Sequence, residues 1–149
     1  MRRSKSIVLM AVTLTLIVAQ GVTLPGLSAE ESPAASTSDG VVAFYFHGNT
    51  RCATCRKIEA YADEAIHQGF AEALDSSALR WRVVNIEQPD NKHFVEDFQL
   101  VTRSVVLAEY REGNVVRWKN LDKVWQLVRD KDGFTSYVQS ETREFLGAS

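Results

Sequence analysis

Two cysteines, Cys52 and Cys55, occur in the 149 residues, and they stand three apart in Cys52-Ala53-Thr54-Cys55. Three-residue spacing puts two side chains on one face of a helix, within reach of each other. A dithiol placed so can exchange electrons as a thiol–disulfide pair, the first sulfur attacking and the second resolving the mixed disulfide. The same two sulfurs could hold a soft ion such as Cu(I) or trivalent arsenic, with His47 as a candidate third ligand. A purely structural disulfide fits poorly, because a bridge across two intervening residues removes little entropy from the unfolded chain. A helix N-terminus favours the thiolate through its unpaired N–H groups and dipole. Arg51 and Arg56 flank the pair, and His47 lies close in sequence. Cys52 is the expected nucleophile; Cys55, turned toward the core, is the expected resolving thiol.

The surrounding elements must put the dithiol at such a helix start. Val41-Val42-Ala43-Phe44-Tyr45-Phe46 is continuously apolar and reads as a strand buried on both faces. His47 to Thr50 is a loop in which Asn49 or Thr50 can cap the next helix. From Cys52 to about Gln68 the pattern is helical, with Cys55, Ile58, Ala62, Ala65 and Ile66 on one face. Phe70 to Leu74 extends it by another turn or two. Arg80 to Glu87 is a second strand. Pro89-Asp90 then introduces a short helix from Asn91 to about Leu100, with Asp90 as its cap. Ser104–Tyr110 and Val115–Trp118 form a hairpin around Arg111-Glu112-Gly113-Asn114. Two helical segments close the chain, one marked by Leu121, Val124, Trp125 and Val128, the other by Phe134, Tyr137, Val138, Phe145 and Leu146. Trp81, Trp118 and Trp125 fit core or sheet packing, and His67 and His93 fit a charged surface.

Residues 1–29 stand apart from this pattern. A basic start (Arg2, Arg3, Lys5) precedes an apolar run from Ile7 to Ala19, and Pro25-Gly26 precedes Leu27-Ser28-Ala29. This is a secretory signal in outline, or an uncleaved anchor, since 7–27 is long enough to cross a bilayer. Both place the remainder outside the cytoplasm, in the periplasm or on the outer face of the cytoplasmic membrane. No cysteine lies near Ala29 for lipid attachment. Residues 30–40 are small, polar and acidic and read as a flexible tether. Residues 41–149 make one domain with one core. All 19 acidic residues lie at or after Glu30, while three of the 17 basic ones precede it, leaving −5 (14 against 19) on the exported part. The scattered, outnumbered basic residues exclude a nucleic-acid surface.

The order β, α, β, α, β, β, α with an added C-terminal helix requires a parallel pair with a crossover and an antiparallel hairpin. The expected class is α/β, a mixed four-stranded sheet flanked by helices. This order, with the dithiol at the start of the first helix and Val84-Asn85-Ile86-Glu87 at a strand end, resembles the thioredoxin fold. A closer resemblance runs through Phe46 to Cys55, Val84 to Asn91, and Val116 to Asp122 with Val124-Trp125. There the chain is similar to the thioredoxin-like family of nitrophenyl compound nitroreductase subunit ArsF, associated with arsenic resistance. The resemblance implies an exported redox or electron-transfer subunit with no cofactor beyond the Cys52–Cys55 disulfide. Its implied partners are a membrane dithiol electron-transfer protein and an extracytoplasmic protein or small-molecule acceptor, such as a nitroaromatic or organoarsenical reductase system.

The chain departs from ordinary thioredoxins at three places. No proline precedes the third strand, so Thr102, Arg103 or Ser104 occupies the place beside the dithiol. No acid lies on the first strand. Val83 stands where a lysine is expected near Val84-Asn85-Ile86-Glu87. These departures favour a specialised partner over broad disulfide reduction. Besides the soft-metal module, a redox-inactive adaptor is a further alternative.

Overall fold

The structure, a computed structural model, describes residues 39–147. The expected leader, most of the tether and the last two residues lie outside them. The elements are β1 (Gly40–His47), α1 (Ala53–Gly69), α2 (Ala71–Asp75), β2 (Leu79–Asn85), a 3-10 turn (Pro89–Asn91), α3 (His93–Asp97), β3 (Ser104–Arg111), β4 (Asn114–Asn120), α4 (Val124–Leu127) and α5 (Lys131–Gly147). The sheet runs β2-β1-β3-β4. β1 is parallel to β2, with Val41 opposite Leu79 and His47 opposite Asn85. It is antiparallel to β3, with Phe46 opposite Ser104, and β3 is antiparallel to β4. A central β1 with a parallel β-α-β crossover on one side and an antiparallel hairpin on the other is the thioredoxin-like fold. Here α5 is added at its C-terminal end.

Alternation along β1 divides the core in two. Val41, Ala43 and Tyr45 face Ile58, Ala62, Ala65 and Ile66 of α1 and Phe134 and Val138 of α5. Val42, Phe44 and Phe46 face Phe94, Phe98 and Leu100 on the other side of the sheet. Phe44 and Phe46 stack at 5.0 Å between ring centroids, and both meet Phe94 and Phe98. Side chains of this size each contribute about 1.5–3 kcal/mol on full burial, so β1 is the least replaceable strand. Helices α1 and α5 are joined by Tyr61 edge-on to Phe134, by Gln139 Nε2 donating to the Ala65 carbonyl at 3.1 Å, and by the Lys131–Glu64 ion pair.

The tryptophans take packing roles. Trp81 and Trp125 lie against the α1 and α5 side, and Trp118 lies edge-on to Phe98 on the other. His67 and His93 are on the surface, each near a carboxylate one turn away.

β1 starts at Gly40, one residue before the apolar run. Two local expectations are corrected. The helix expected from Asn91 to Leu100 is broken into the 3-10 turn and α3; Asp90 lies inside the turn, and neither piece has a side-chain cap. Asn49 and Thr50 do not cap α1, because Cys52 does so itself. Among the described residues no helix is long and apolar enough to cross a membrane.

Candidate functional site

Cys52 is the N-cap of α1, with extended backbone (φ −72°, ψ 163°), and its Sγ accepts the N–H of Cys55 at 3.0 Å. A helix start leaves its first N–H groups without carbonyl partners, and an oxygen-bearing side chain usually takes one of them. Here a sulfur does. The two cysteines are disulfide-bonded, with Cα atoms 5.0 Å apart. They differ sharply in access: Cys52 is exposed, whereas Cys55 is only 2% exposed and belongs to the buried face of α1. On reduction, the charge on Cys52 sulfur would sit where an N–H already points, at the positive end of a 17-residue helix.

The loop from β1 to this cap is fixed nearly residue by residue. Ile86 N–H donates to the His47 carbonyl at 2.9 Å. Gly48 is buried, and a side chain there would meet the Glu87 carboxylate. Asn85 Nδ2 donates to Asn49 Oδ1 at 2.8 Å. Arg103 Nη2 donates to the Thr50 carbonyl at 3.1 Å, and Arg56 Nη1 to the Arg51 carbonyl at 2.8 Å. Backbone groups that would otherwise be free are thus held by β2, by the start of β3 and by α1 itself.

Beneath the dithiol lies Tyr45. Its hydroxyl donates to the Cys55 carbonyl at 2.7 Å in a buried setting. Burial pushes its phenol above the ordinary value of 10.0, with the Arg51 and Arg103 charges opposing that rise. The ring of His47 stacks on it at 6.1 Å. His47 Nδ1 is 2.8 Å from the Gly48 carbonyl, which can only accept, so Nδ1 carries the proton.

The residues singled out in the sequence are distributed as follows. Arg51 forms an ion pair with Glu59. Arg56 holds the Arg51 carbonyl, next to Cys52. His47 is half-buried at the end of β1, turned to the loop and Tyr45. Ser104 is buried opposite Phe46; its hydroxyl donates to the Thr102 carbonyl at 3.0 Å and accepts from Asn120 Nδ2 at 3.3 Å, joining β3 to β4. It makes no hydrogen bond to either cysteine. Arg103 holds the place before β3, and its own carbonyl accepts Trp125 Nε1–H at 3.1 Å. Among the described residues there is no group of three or more His, Cys, Asp or Glu that could hold a metal ion.

Sequence reasoning did not single out Tyr45, which sits inside an apolar run and reads there as core. A hollow of about 410 Å³ lies against α1, lined by Arg51, Arg56, Glu59, Ala60 and Asp63.

No protein-family model matches the chain, and no curated protein does. Solved structures are similar in part. Thioredoxin f2 of Chlamydomonas reinhardtii is 18% identical, over 62% of this chain and 80% of its own, with a TM-score of 0.37. Fasciola hepatica thioredoxin is 14% identical, over 67% of this chain and 83% of its own, at 0.37. A malarial protein is 12% identical, over 62% of this chain and 98% of its own, at 0.36. The fold stands on the strand order and pairing given above.

Proposed function

We propose that this protein is an extracytoplasmic thiol–disulfide oxidoreductase or electron-transfer subunit. In the reduced form, the Cys52 thiolate attacks a partner disulfide, forms a mixed disulfide and expels one partner sulfur as thiolate. Cys55 then gives up its proton and attacks Cys52 Sγ. The intramolecular disulfide forms, the second partner sulfur leaves, and two electrons have passed to the partner. The reverse sequence oxidises a partner dithiol. The observation that carries the reading is the asymmetry of the pair: an exposed sulfur at the helix cap with a buried one a single turn behind it.

The leader-like residues 1–29 support a place outside the cytoplasm. The family resemblance supports a membrane dithiol protein as electron donor and a nitroaromatic or organoarsenical reductase system as destination. Arg103 in the place before β3 supports a narrow choice of partner.

The test is to equilibrate the full-length protein across a glutathione redox series and to express Cys55→Ser in cells. A reversible two-electron transition between dithiol and disulfide, with a Cys52-linked mixed disulfide in the variant, is expected. A pair that stays oxidised throughout the series, together with a variant that captures nothing, overturns the reading.

A further inference from the structure

The cations around Cys52 carry an inference that rests on the redox reading and names the chemistry of the partner. Residues 47–57 contain Arg51, Arg56 and Lys57 and no acid, although the chain from Glu30 onward is net acidic. Cations in the first turns of a helix oppose its dipole, so they are a poor choice for stability alone. Two of the guanidinium groups near the cap hold successive carbonyls just before Cys52, Arg103 on Thr50 and Arg56 on Arg51. A carbonyl is neutral, so both keep their charge. Among the described residues neither is paired with a carboxylate. Each guanidinium is held in place with donors to spare. The acids nearby are otherwise engaged or set back: Glu59 pairs with Arg51, Glu87 lies against Gly48, and Asp63 lies about three turns along α1 beside His67.

We propose that Arg56 and Arg103 form a carboxylate-receiving rim around Cys52, selecting partner disulfides flanked by acidic groups. A fixed guanidinium accepts a carboxylate with two parallel hydrogen bonds. The remaining charge steers the encounter.

The test compares three small disulfides with the reduced full-length protein: dithiobis(nitrobenzoate), which is anionic, 2-hydroxyethyl disulfide, which is neutral, and cystamine, which is cationic. Each rate is divided by that of dithiothreitol with the same compound. A normalised preference of about tenfold for the anionic over the cationic compound is expected at low salt. It should shrink between about 0.01 M and about 1 M salt, as the screening length falls from ~30 to ~3 Å. Arg56→Glu and Arg103→Gln should each lower the anionic-to-neutral ratio severalfold. Arg143→Glu, at an exposed position of α5, should leave that ratio unchanged. Exchange with the neutral disulfide but no charge preference, or a preference unmoved by salt and both substitutions, overturns the rim alone. No exchange with the neutral disulfide overturns the redox reading and the rim with it.

Discussion

The hydroxyl of Tyr45 and the main-chain carbonyl of Cys55 are joined by a buried 2.7 Å hydrogen bond, which ties the central strand to the first turn of α1. A buried hydroxyl without a partner would be costly, so the bond fixes both ends. Its consequence is positional. The Cys55 backbone cannot shift relative to β1 without breaking it, and the resolving sulfur is carried by that backbone. Tyr45 remains protonated at neutral pH because burial raises its phenol. It is therefore a donor to the carbonyl and no base for the Cys55 thiol.

Tyr45→Phe keeps the ring and removes this bond. A loss of about 1 kcal/mol in stability is expected, as for a typical intramolecular hydrogen bond. Resolution of a mixed disulfide should slow severalfold relative to the initial attack by Cys52. Denaturant unfolding and rapid-quench partitioning of the two steps check it. A variant with unchanged stability and unchanged partitioning would leave Tyr45 with packing alone.

The asymmetry of the two sulfurs predicts selective alkylation. In the reduced protein, iodoacetamide should modify Cys52 first and Cys55 more slowly by at least about tenfold, since only the exposed sulfur can present a thiolate to a reagent. Mass mapping of the singly modified protein reads the outcome directly. Equal labelling of the two positions would contradict the burial of Cys55.

Glu109 supplies a pH prediction at the opposite end of β3. Although buried, it accepts from Arg111 Nε and Nη2 at 2.9 and 2.7 Å and from Arg117 Nε at 3.1 Å. The Arg111 hydrogen bonds, more than offsetting burial, hold its carboxyl below the ordinary 4.5, with Arg117 adding to the effect. A depressed folded value means that this stabilisation is complete above the unfolded value and is lost as pH falls through the folded one. Glu109→Gln should cost about 2 kcal/mol at neutral pH, in the range for hydrogen bonds to charged groups. It should also flatten the decline in stability below about pH 4.5. Because Glu109 pairs with Val41, far along β1 from Phe46 and the dithiol, thiol exchange should not change. Urea unfolding at several pH values, beside an exchange assay, tests both halves.

The legible parts of this fold are those encoded by neighbours in sequence. The apolar run of β1, the helical face of Cys55, Ile58, Ala62, Ala65 and Ile66, and the hairpin at Arg111–Asn114 each carry a local periodicity or turn signal. They fix the class and place the dithiol at a helix start. What sequence concealed depends on residues brought together from afar. Arg103 reaches Thr50 across 53 positions, and no local pattern distinguishes it from a solvated arginine. Tyr45 is hidden because its ring belongs to the core while its hydroxyl belongs to the site. The cap expected at Asn49 or Thr50 follows from oxygen side chains being the usual caps, whereas here the functional sulfur takes that position. The helix after Pro89 is shorter than its pattern suggests: Phe94 and Phe98 are one turn apart, but the chain before α3 is a 3-10 turn and Phe98 already leaves helical geometry (φ −112°, ψ 13°).

The hairpin offers a stabilising change as a final test of the backbone. Arg111 pairs with Asn114, leaving a two-residue loop in which Glu112 and Gly113 both have positive φ, 51° and 77°. A type I′ turn requires this at both central positions, and Asn-Gly satisfies it best. Glycine meets the demand at Gly113, but glutamate is held in a region that disfavours its side chain. Glu112→Asn should relieve the cost and add about 0.5–1 kcal/mol. The Glu112 main-chain N–H that donates to Asp39 Oδ1 at 2.7 Å is retained. The measurement is the denaturation midpoint of the oxidised protein. A fall in that midpoint would mean that the turn has another geometry, while an unchanged exchange rate is expected in either case because the loop is at the end of β3 away from Ser104.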